Sequence, residues 1–202
     1  MTIRAIIWDM GGVLIRTEDP APRAELAAQM GMTRKDLEII FFAGRSGTMA
    51  QLGEINTQQH IGNIRQELNL TPEEMDTIWD KFWEGDRLDG DLVNYIRDLK
   101  AQYKTGLLSN AFSNLREWIA KEGKFSDAFD DMVISAEVGL MKPDPRIYQL
   151  ALEQLEVSPS EAIFVDDFLH NIDGAQSLGM HAIHFQNPDQ VLGDIQRILL
   201  KG

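Results

Sequence analysis

The sequence predicts an α/β fold, in which helices wrap a parallel sheet and a small helical bundle is inserted after the first strand. Three observations support this prediction. Five short apolar runs have the length and composition of buried strands. From Asp91 onward these runs alternate with helical patterns, which is typical of a parallel sheet with crossover helices. Between the first run and Asp91, helical signals replace the strand signal.

The predicted strands place polar side chains at one edge of the sheet. The strands cover residues 3–8, 105–108, 132–134, 162–165 and 181–185. Three of them end abruptly on polar residues, which are Asp9, Ser109 with Asn110, and Asp166 with Asp167. Parallel α/β sheets bind ligands beyond the carboxyl ends of their strands. The sequence therefore predicts a ligand site built from these polar residues.

The segment between the first strand and the rest of the sheet predicts a separate helical domain. Residues 18–22, which hold two prolines and two acidic side chains, are interpreted as a linker. Helical signals follow over residues 33–42, over residues 56–68 and from a capping box at Thr71. We therefore expect an α/β core domain of residues 1–15 and 89–202, and a helical cap domain of residues 16–88.

The composition argues against several classes of protein. Hydrophobic residues make up 44% of the 202 residues, yet no apolar run approaches the roughly 18–20 residues that a membrane helix needs. The absence of cysteine removes disulfides, thiolate metal sites and cysteine nucleophiles, and fits a reducing compartment. A net charge of -13 opposes binding to nucleic acid or to anionic membranes. We expect a cytoplasmic monomer or homodimer that binds a small molecule.

Two of the polar clusters offer groups suited to phosphate chemistry. Asp9 is a carboxylate at a strand end, and the backbone N–H groups of Gly11 and Gly12 could cradle an anion beside it. Aspartate and glycine are also common in an ordinary strand-to-loop turn. Ser109 and Asn110 can donate hydrogen bonds to phosphate oxygens, although a loop or helix cap is the simpler interpretation of this pair taken alone.

The other two clusters add a cation and paired carboxylates. Lys142 opens a predicted helix, where it can neutralise a phosphate, pair with Asp9 or simply be solvated. Asp166 and Asp167 repel each other unless a cation or a proton intervenes, and oxygen-only ligands of this kind favour Mg²⁺. This pair is the most informative cluster, because a turn does not need both charges. The order and placement of the four clusters together argue against chance.

These motifs resemble those of the haloacid dehalogenase (HAD) superfamily, in the group with a helical cap inserted after the first strand. The resemblance rests on the four clusters and on two longer stretches, residues 139–148 (GLMKPDPRIY) and residues 164–175 (FVDDFLHNIDGA). It covers the whole chain and implies a Rossmann-like parallel sheet. Within the family, the chain most resembles bacterial sugar-phosphate phosphatases such as α-glucose-1-phosphate phosphatase, and the phosphatase domain of soluble epoxide hydrolases.

The resemblance implies a role for each cluster in a Mg²⁺-dependent phosphatase. Asp9 would attack phosphorus and form an aspartyl phosphate, which water then hydrolyses. The phosphoryl oxygens would be held by Lys142, also a catalytic residue, together with Ser109, Asn110 and the backbone of Gly11 and Gly12. The Mg²⁺ ligands would be Asp9, the Gly11 carbonyl and Asp167, with Asp166 in direct or water-mediated contact.

One departure from the family pattern concerns Gly11. Most phosphatases of the family carry an aspartate at this position, two residues after the nucleophile, and it acts as the general acid/base. Glycine retains the carbonyl that ligates the metal but has no side chain to transfer a proton. We therefore expect leaving groups that are weak bases, such as those of sugar 1-phosphates and aryl phosphates, to be favoured over sugar 6-phosphates.

Two alternative functions stay open. A 2-haloacid dehalogenase of the same superfamily needs no metal, and the pair of Asp166 and Asp167 argues against it. A protein that binds a phosphorylated ligand without catalysis would have lost its acid/base at Gly11.

Several further residues have two interpretations each. Trp79, Phe82 and Trp83 share one helix, where they would either pack the cap or form a wall over the substrate. Arg45 could reach a phosphate or a sugar, and His170 could replace the missing acid/base. Each of these two residues could equally be a solvated surface side chain.

Overall fold

A parallel sheet lies at the centre of the α/β part of the molecule, as the sequence predicts. The computed structural model describes residues 2–200. Within these residues the strands are β1 (Ala5–Trp8), β2 (Ile15–Thr17), β3 (Asp86–Leu88), β4 (Lys104–Ser109), β5 (Asp131–Ile134), β6 (Ala162–Asp166) and β7 (His181–His184). Five of them form the parallel sheet in the order β5-β4-β1-β6-β7. Each of these five lies within a residue or two of a predicted strand.

Helices cover both faces of this sheet. The helices of the described residues are α1 (Ala21–Gln29), α2 (Arg34–Glu38), α3 (Arg45–Gln51), α4 (Thr57–Glu67), α5 (Pro72–Trp83), α6 (Gly90–Leu99), α7 (Leu115–Trp118), α8 (Ser135–Val138), α9 (Pro145–Gln154), α10 (Leu169–Ser177) and α11 (Pro188–Leu199). Successive side chains of a strand point to opposite faces. Ile6 and Trp8 therefore pack with α6 and α11, while Ala5 and Ile7 pack with α9 and α10.

Two short antiparallel strands, β2 and β3, frame the helical insertion, although the sequence gives no strand signal there. Each has three residues, and both carry polar side chains, so neither shows the apolar alternation of a longer strand. Thr17 donates a hydrogen bond to Asp86 at 2.7 Å, and Arg16 donates one to Asp89 at 2.8 Å. These polar contacts join the two ends of the insertion.

Helices α1 to α5 lie between β2 and β3 and enclose a hydrophobic cluster of their own. Its buried members are Leu26, Ala27, Leu37, Phe41, Ile64, Met75, Ile78 and Phe82. Capping boxes begin three of the helices, at Thr33, Asn56 and Thr71. We propose that these helices are the cap domain of residues 16–88. Among residues 2–200, every helix is too short or too polar to span a bilayer.

The insertion differs from the sequence prediction at two places. The predicted linker of residues 18–22 overlaps the start of α1, which begins at Ala21. Pro22 does not prevent this helix, because it lies in the first turn, where its missing N–H costs no hydrogen bond. The single helix predicted over residues 33–42 consists of α2 followed by a π-helical turn over Ile39–Ala43. That turn matters for the site, because it carries Phe42 into the cleft between cap and sheet.

Candidate active site

The carboxyl ends of three neighbouring strands bring the polar clusters together. β1 lies between β4 and β6, so the residues that follow these strands meet at one edge of the sheet. Asp9 directly follows β1, Ser109 ends β4 and Asp166 ends β6. Lys142 reaches the same point from the loop before α9. The strand positions alone therefore assemble groups that are far apart in the sequence.

Lys142 joins two of the buried carboxylates. Its ammonium lies 2.8 Å from Oδ1 of Asp9 and 2.6 Å from Oδ2 of Asp166, and only 1% of its side chain is exposed. Burial disfavours the ammonium charge, but the attraction of the two carboxylates and their hydrogen bonds outweigh it. The pKa of Lys142 is therefore raised above its ordinary value, and the side chain stays positively charged.

The Asp9 carboxylate is buried and is held through one of its two oxygens. Oδ1 accepts hydrogen bonds from the Met10 N–H at 2.7 Å and from Lys142, which leaves Oδ2 available to an electrophile. The pKa of Asp9 is raised to about 7, because burial and the charge of Asp166 outweigh the opposing effect of Lys142. One ammonium thus compensates the negative charge of this site only in part.

The two adjacent carboxylates have different surroundings. Asp166 accepts hydrogen bonds from Lys142, from the Phe168 N–H at 2.8 Å and from the Asn171 amide at 3.0 Å. Oδ1 of Asp167 is buried and has no hydrogen-bond partner among the residues that the structure describes. Burial, followed by the charge of Asp166, raises the pKa of Asp167 to about 6. Asp167 is therefore the carboxylate with an oxygen still to be satisfied.

These features fit a divalent cation. Asp9, Asp166 and Asp167 each offer one carboxylate oxygen, and these three oxygens lie within 4.8 Å of one another. Three carboxylates face a single ammonium, from Lys142, and a buried oxygen without a partner is costly. Hard oxygen donors of this kind suit Mg²⁺.

In the glycine loop after β1, the backbone N–H of Gly12 does not have the phosphate-binding role that the sequence predicts. The Gly12 N–H donates to the Ile15 carbonyl at 2.8 Å, so it does not face a phosphate. Gly12 has a φ of +76°, and a Cβ atom there would overlap the carboxylate of Asp167. At Gly11 a Cβ atom would meet nothing within 4 Å. Gly12 is therefore required by the close approach of Asp167, whereas the space beside Gly11 is open.

Ser109 and Asn110 also divide into two roles. Ser109 is buried at the end of β4 and lines the cleft with Asp9. The Asn110 side chain donates to the Lys142 carbonyl at 2.9 Å and accepts from the Lys142 N–H at 2.8 Å. The Asn110 side chain therefore holds the lysine loop, and its binding to phosphate stays a prediction.

The catalytic edge opens into a cleft of about 1420 Å³ between the sheet and the inserted helices. Trp79 and Trp83 line this cleft, while Phe82 is buried and stacks on Phe41 at 3.7 Å between ring centroids. The aromatic run on α5 thus supplies both packing and wall. His170 lines the cleft as an exposed side chain, whereas Arg45 is not among its lining residues.

The family model for haloacid dehalogenase-like hydrolases matches residues 3–179. The chain belongs to this family. Three of the four clusters of this HAD-like hydrolase, at Asp9, Ser109 and Asp166, lie at the carboxyl ends of parallel strands. The fourth, at Lys142, lies in the loop before α9. The finer resemblance to α-glucose-1-phosphate phosphatases stays a prediction.

Relatives of this HAD-like hydrolase include two phosphatases and an enzyme solved with magnesium and inorganic phosphate. Sesquiterpene phosphatase astK of Aspergillus oryzae is 31% identical over 91% of this chain and 90% of that protein. D-ribitol-5-phosphate phosphatase of Bacteroides thetaiotaomicron is 28% identical over 92% and 93%. A HAD family enzyme of the same organism, solved with magnesium and inorganic phosphate, has a TM-score of 0.74 at 24% identity over 91% and 94%. The chain spans 19% of the length of Acyl-CoA dehydrogenase family member 10 of Mus musculus, at 28% identity.

Three residues of the HAD-like site were not assigned a role from the sequence. Asn171 donates its amide to both oxygens of Asp166, at 3.0 and 3.1 Å. Its position five residues after Asp166, in the first turn of α10, is a spacing that could have identified it. Phe42 and Phe112 line the cleft and stack on each other. No sequence signal links these two, because they lie in different segments and meet only in the folded chain.

Proposed function

We propose that this protein is a Mg²⁺-dependent phosphatase that hydrolyses a small phosphorylated metabolite through an aspartyl-phosphate intermediate. The observation that supports it is the buried Asp9 carboxylate, which lies 2.8 Å from Lys142 and shares a cluster with two further carboxylates. A nucleophile, a fixed cation and a set of oxygen donors are the parts that phosphoryl transfer requires. The phosphatases among the relatives agree with this function.

The reaction consists of two displacements at phosphorus. In the first, Oδ2 of Asp9 attacks the phosphorus atom, and the bond to the alcohol oxygen breaks. The alcohol departs with that electron pair and takes up a proton. In the second, water attacks the aspartyl phosphate, which releases inorganic phosphate and restores Asp9. Lys142, the Ser109 hydroxyl and the Asn110 N–H offset the charge on the phosphoryl oxygens.

The same residues would hold the metal. Asp9, the Gly11 carbonyl and Asp167 are the proposed ligands, with Asp166 close by and held by Lys142 and Asn171. When bound, Mg²⁺ supplies positive charge that stabilises the phosphoryl oxygens and lowers repulsion between substrate and carboxylates. The orphaned Oδ1 of Asp167 supports Asp167 as a direct ligand.

The leaving group must obtain its proton without a side chain at Gly11. A positioned general acid is typically worth about 10²–10⁴-fold in rate. That loss matters least when the alcohol is already acidic. We therefore propose that sugar 1-phosphates and aryl phosphates react faster than sugar 6-phosphates, and that the covalent intermediate accumulates.

The function is tested by measuring the release of phosphate and of chloride from a panel of phosphate esters and one 2-haloacid. The panel contains glucose 1-phosphate, glucose 6-phosphate, p-nitrophenyl phosphate and 2-chloropropionate, each with Mg²⁺ and with excess chelator. We expect inorganic phosphate only with Mg²⁺, and no chloride. Chloride release without metal would identify a dehalogenase instead. Binding of phosphate esters without turnover would identify a binding protein.

A further inference from the structure

Four aromatic rings form a continuous surface from the catalytic edge of the sheet into the cap helices. Phe112, in the loop after β4, stacks on Phe42 with ring centroids 6.3 Å apart and an interplanar angle of 14°. Phe42 meets the edge of Trp83 at 5.6 Å, and Trp83 meets Trp79 at 5.7 Å. All four line the cleft that contains Asp9. We call Phe42, Trp79, Trp83 and Phe112 the aromatic wall.

Apolar side chains also reach the surface along this cleft. Ile39 and Phe168 line it with 43% and 55% of their surface exposed. Large apolar side chains grouped around a cleft are typical of a binding surface. The cleft volume of about 1420 Å³ exceeds the range of about 300–1,000 Å³ that is usual for small-molecule sites. A substrate with an extended part beyond its phosphate therefore has room to contact the aromatic wall.

The arginines that line the cleft are already bound to other groups of the protein. Arg23 donates to the Phe82 carbonyl at 2.9 Å and to Asp86 at 2.7 Å. Arg16 donates to Asp89 at 2.8 Å. A second anionic group on the substrate would have to compete with these carboxylates for the guanidinium charge. Neither arginine is therefore suited to bind a second phosphate or a carboxylate.

Acidic side chains reinforce this selection. Outside the catalytic edge, the cleft is also lined by Asp80 and Glu122, and by Asp86 and Glu38, which pair with Arg23. Lys35 lines it too, but it is exposed, and exposed ion pairs contribute little. The local field therefore repels additional negative charge on a substrate, while the aromatic wall offers apolar contact to an uncharged group.

We propose that the aromatic wall binds the uncharged hydrocarbon or aryl part of a monophosphate ester, so that the enzyme favours phosphates of apolar alcohols. This inference rests on the proposed function, because the phosphate is placed at Asp9. Each methylene moved from water into apolar contact contributes up to about fourfold in kcat/KM. Within the aromatic wall itself, only the two indole N–H groups can donate hydrogen bonds to a polyol. The proposal thus differs from the sugar phosphate that the sequence resemblance implies.

A series of n-alkyl monophosphates from ethyl to decyl tests the proposal. Their leaving groups have nearly equal basicity, so differences in kcat/KM report on binding of the chain. We expect kcat/KM to rise about two- to fourfold per methylene over several carbons. An ω-carboxyalkyl phosphate of equal length should react at least about tenfold more slowly, and glucose 6-phosphate more slowly than hexyl phosphate.

Variants locate the effect on the wall. Trp83→Gln should flatten the dependence on chain length, whereas Trp83→Phe should retain most of it. Tyr103→Gln is the matched control, because Tyr103 is a half-buried aromatic residue that does not line the cleft. It should keep the wild-type slope. Circular dichroism and melting temperature show whether each variant is folded, and Trp79→Gln, which should also flatten the dependence, carries the test if Trp83→Gln is not folded.

Binding of n-alkylphosphonates, measured by calorimetry with Mg²⁺, separates this proposal from the proposed function. Affinity that rises with chain length while no ester is hydrolysed would refute the phosphatase and keep the aromatic wall as a binding surface. Hydrolysis without dependence on chain length, or equal rates for the ω-carboxyalkyl and alkyl esters, would overturn the proposal and leave the phosphatase intact. Phosphonate affinity that does not change with length would also overturn it.

Discussion

The cleft has two surfaces that differ in how their side chains are held. The catalytic floor, which comprises Asp9, Ser109, Lys142, Asp166 and Asp167, stands on strand ends and one loop. Within it, the Lys142 ammonium lies 2.6–2.8 Å from the carboxylates of Asp166 and Asp9. The aromatic wall joins rings from a π-helical turn, a long helix and a loop, at centroid distances of 5.6–6.3 Å.

The two surfaces should tolerate different substitutions. Interactions between charged atoms depend steeply on distance, and an uncompensated buried charge is expensive. Apolar contact is roughly proportional to area and has no strict geometry. Changes in the catalytic floor should therefore alter the rate by orders of magnitude, whereas changes in the aromatic wall should alter the choice among substrates by small factors.

Removal of the nucleophile should have the largest effect. Asp9→Asn keeps the size of the side chain, but an amide is a poor nucleophile and a weak Mg²⁺ ligand. We expect kcat to fall by at least about 10³-fold, since loss of a covalent nucleophile costs several orders of magnitude. Release of inorganic phosphate under saturating substrate measures it. Activity within about tenfold of wild type, in a variant that melts normally, would exclude Asp9 as the nucleophile.

The two adjacent carboxylates should differ in their effect on the metal. We expect Asp167→Asn to raise the Mg²⁺ concentration for half-maximal activity by more than about 100-fold, and Asp166→Asn by about tenfold. The reason is that Asp166 is already bonded to Lys142 and Asn171, while Asp167 has a buried oxygen without a partner. Mg²⁺ titrations of both variants give the order. The reverse order would make Asp166 the principal ligand.

A new carboxylate at Gly11 should restore proton transfer without disturbing the catalytic floor. The space there is open, so we expect Gly11→Asp to speed hydrolysis of the aspartyl phosphate by about 10- to 100-fold. Quenched-flow labelling follows the intermediate. Gly11→Asn is the matched control, because it has the same shape but cannot act as an acid or base. If both variants release phosphate at the wild-type rate, another group already supplies the proton.

The smallest effect concerns stability and pH. The pKa of Asp9 is raised to about 7 and that of Asp167 to about 6, so between about pH 4 and 7 these two groups bind more protons in the folded protein than in the unfolded chain. The stability contributed by these two groups is therefore present at low pH and lost as the pH rises toward 7. Mg²⁺ should accordingly raise the melting temperature more at pH 8 than at pH 5.

Thermal melts with Mg²⁺ and with chelator measure this difference. We expect a few degrees, because about 1 kcal/mol corresponds to about 2–4 °C in a chain of this size. Other carboxylates have lowered pKa values and act in the opposite direction, as Asp144 does beside Arg146. The Asp9→Asn/Asp167→Asn double variant isolates the two site groups. An unchanged pH dependence in that variant would contradict the assignment.

The contrast between the two surfaces also explains what the sequence could predict. A strand end is visible in one dimension, since an apolar run stops at a polar residue. Asp9, Ser109 and Asp166 are therefore visible in the sequence, and a parallel sheet brings the carboxyl ends of its strands to one edge. The strand order β4-β1-β6, which makes these three residues neighbours, is known only from the structure. No local sequence pattern predicts the contact between Phe42 and Phe112, because it depends on how the cap helices pack against the sheet domain.

The sequence also does not show which polar groups are already hydrogen-bonded within the protein. Residue type shows what a side chain can donate or accept, but not whether a neighbour has already used it. The Asn110 amide exchanges two hydrogen bonds with the Lys142 backbone, and the Gly12 N–H donates to the Ile15 carbonyl. The short strands β2 and β3 were missed for a different reason. Three polar-rich residues on each side pair through contacts such as Thr17 with Asp86, which carry no periodicity.

The close approach of Gly12 to Asp167 has a consequence for redesign of this enzyme. Two consecutive glycines look interchangeable in the sequence, yet only one of them faces free space. A library that randomises Gly11 samples new acids, bases and hydrogen-bond donors beside an unchanged carboxylate. The same library at Gly12 would instead select against every side chain, because even one methyl group occupies the volume of the Asp167 carboxylate. Position 11 is thus the point where new proton-transfer chemistry can be introduced into the loop.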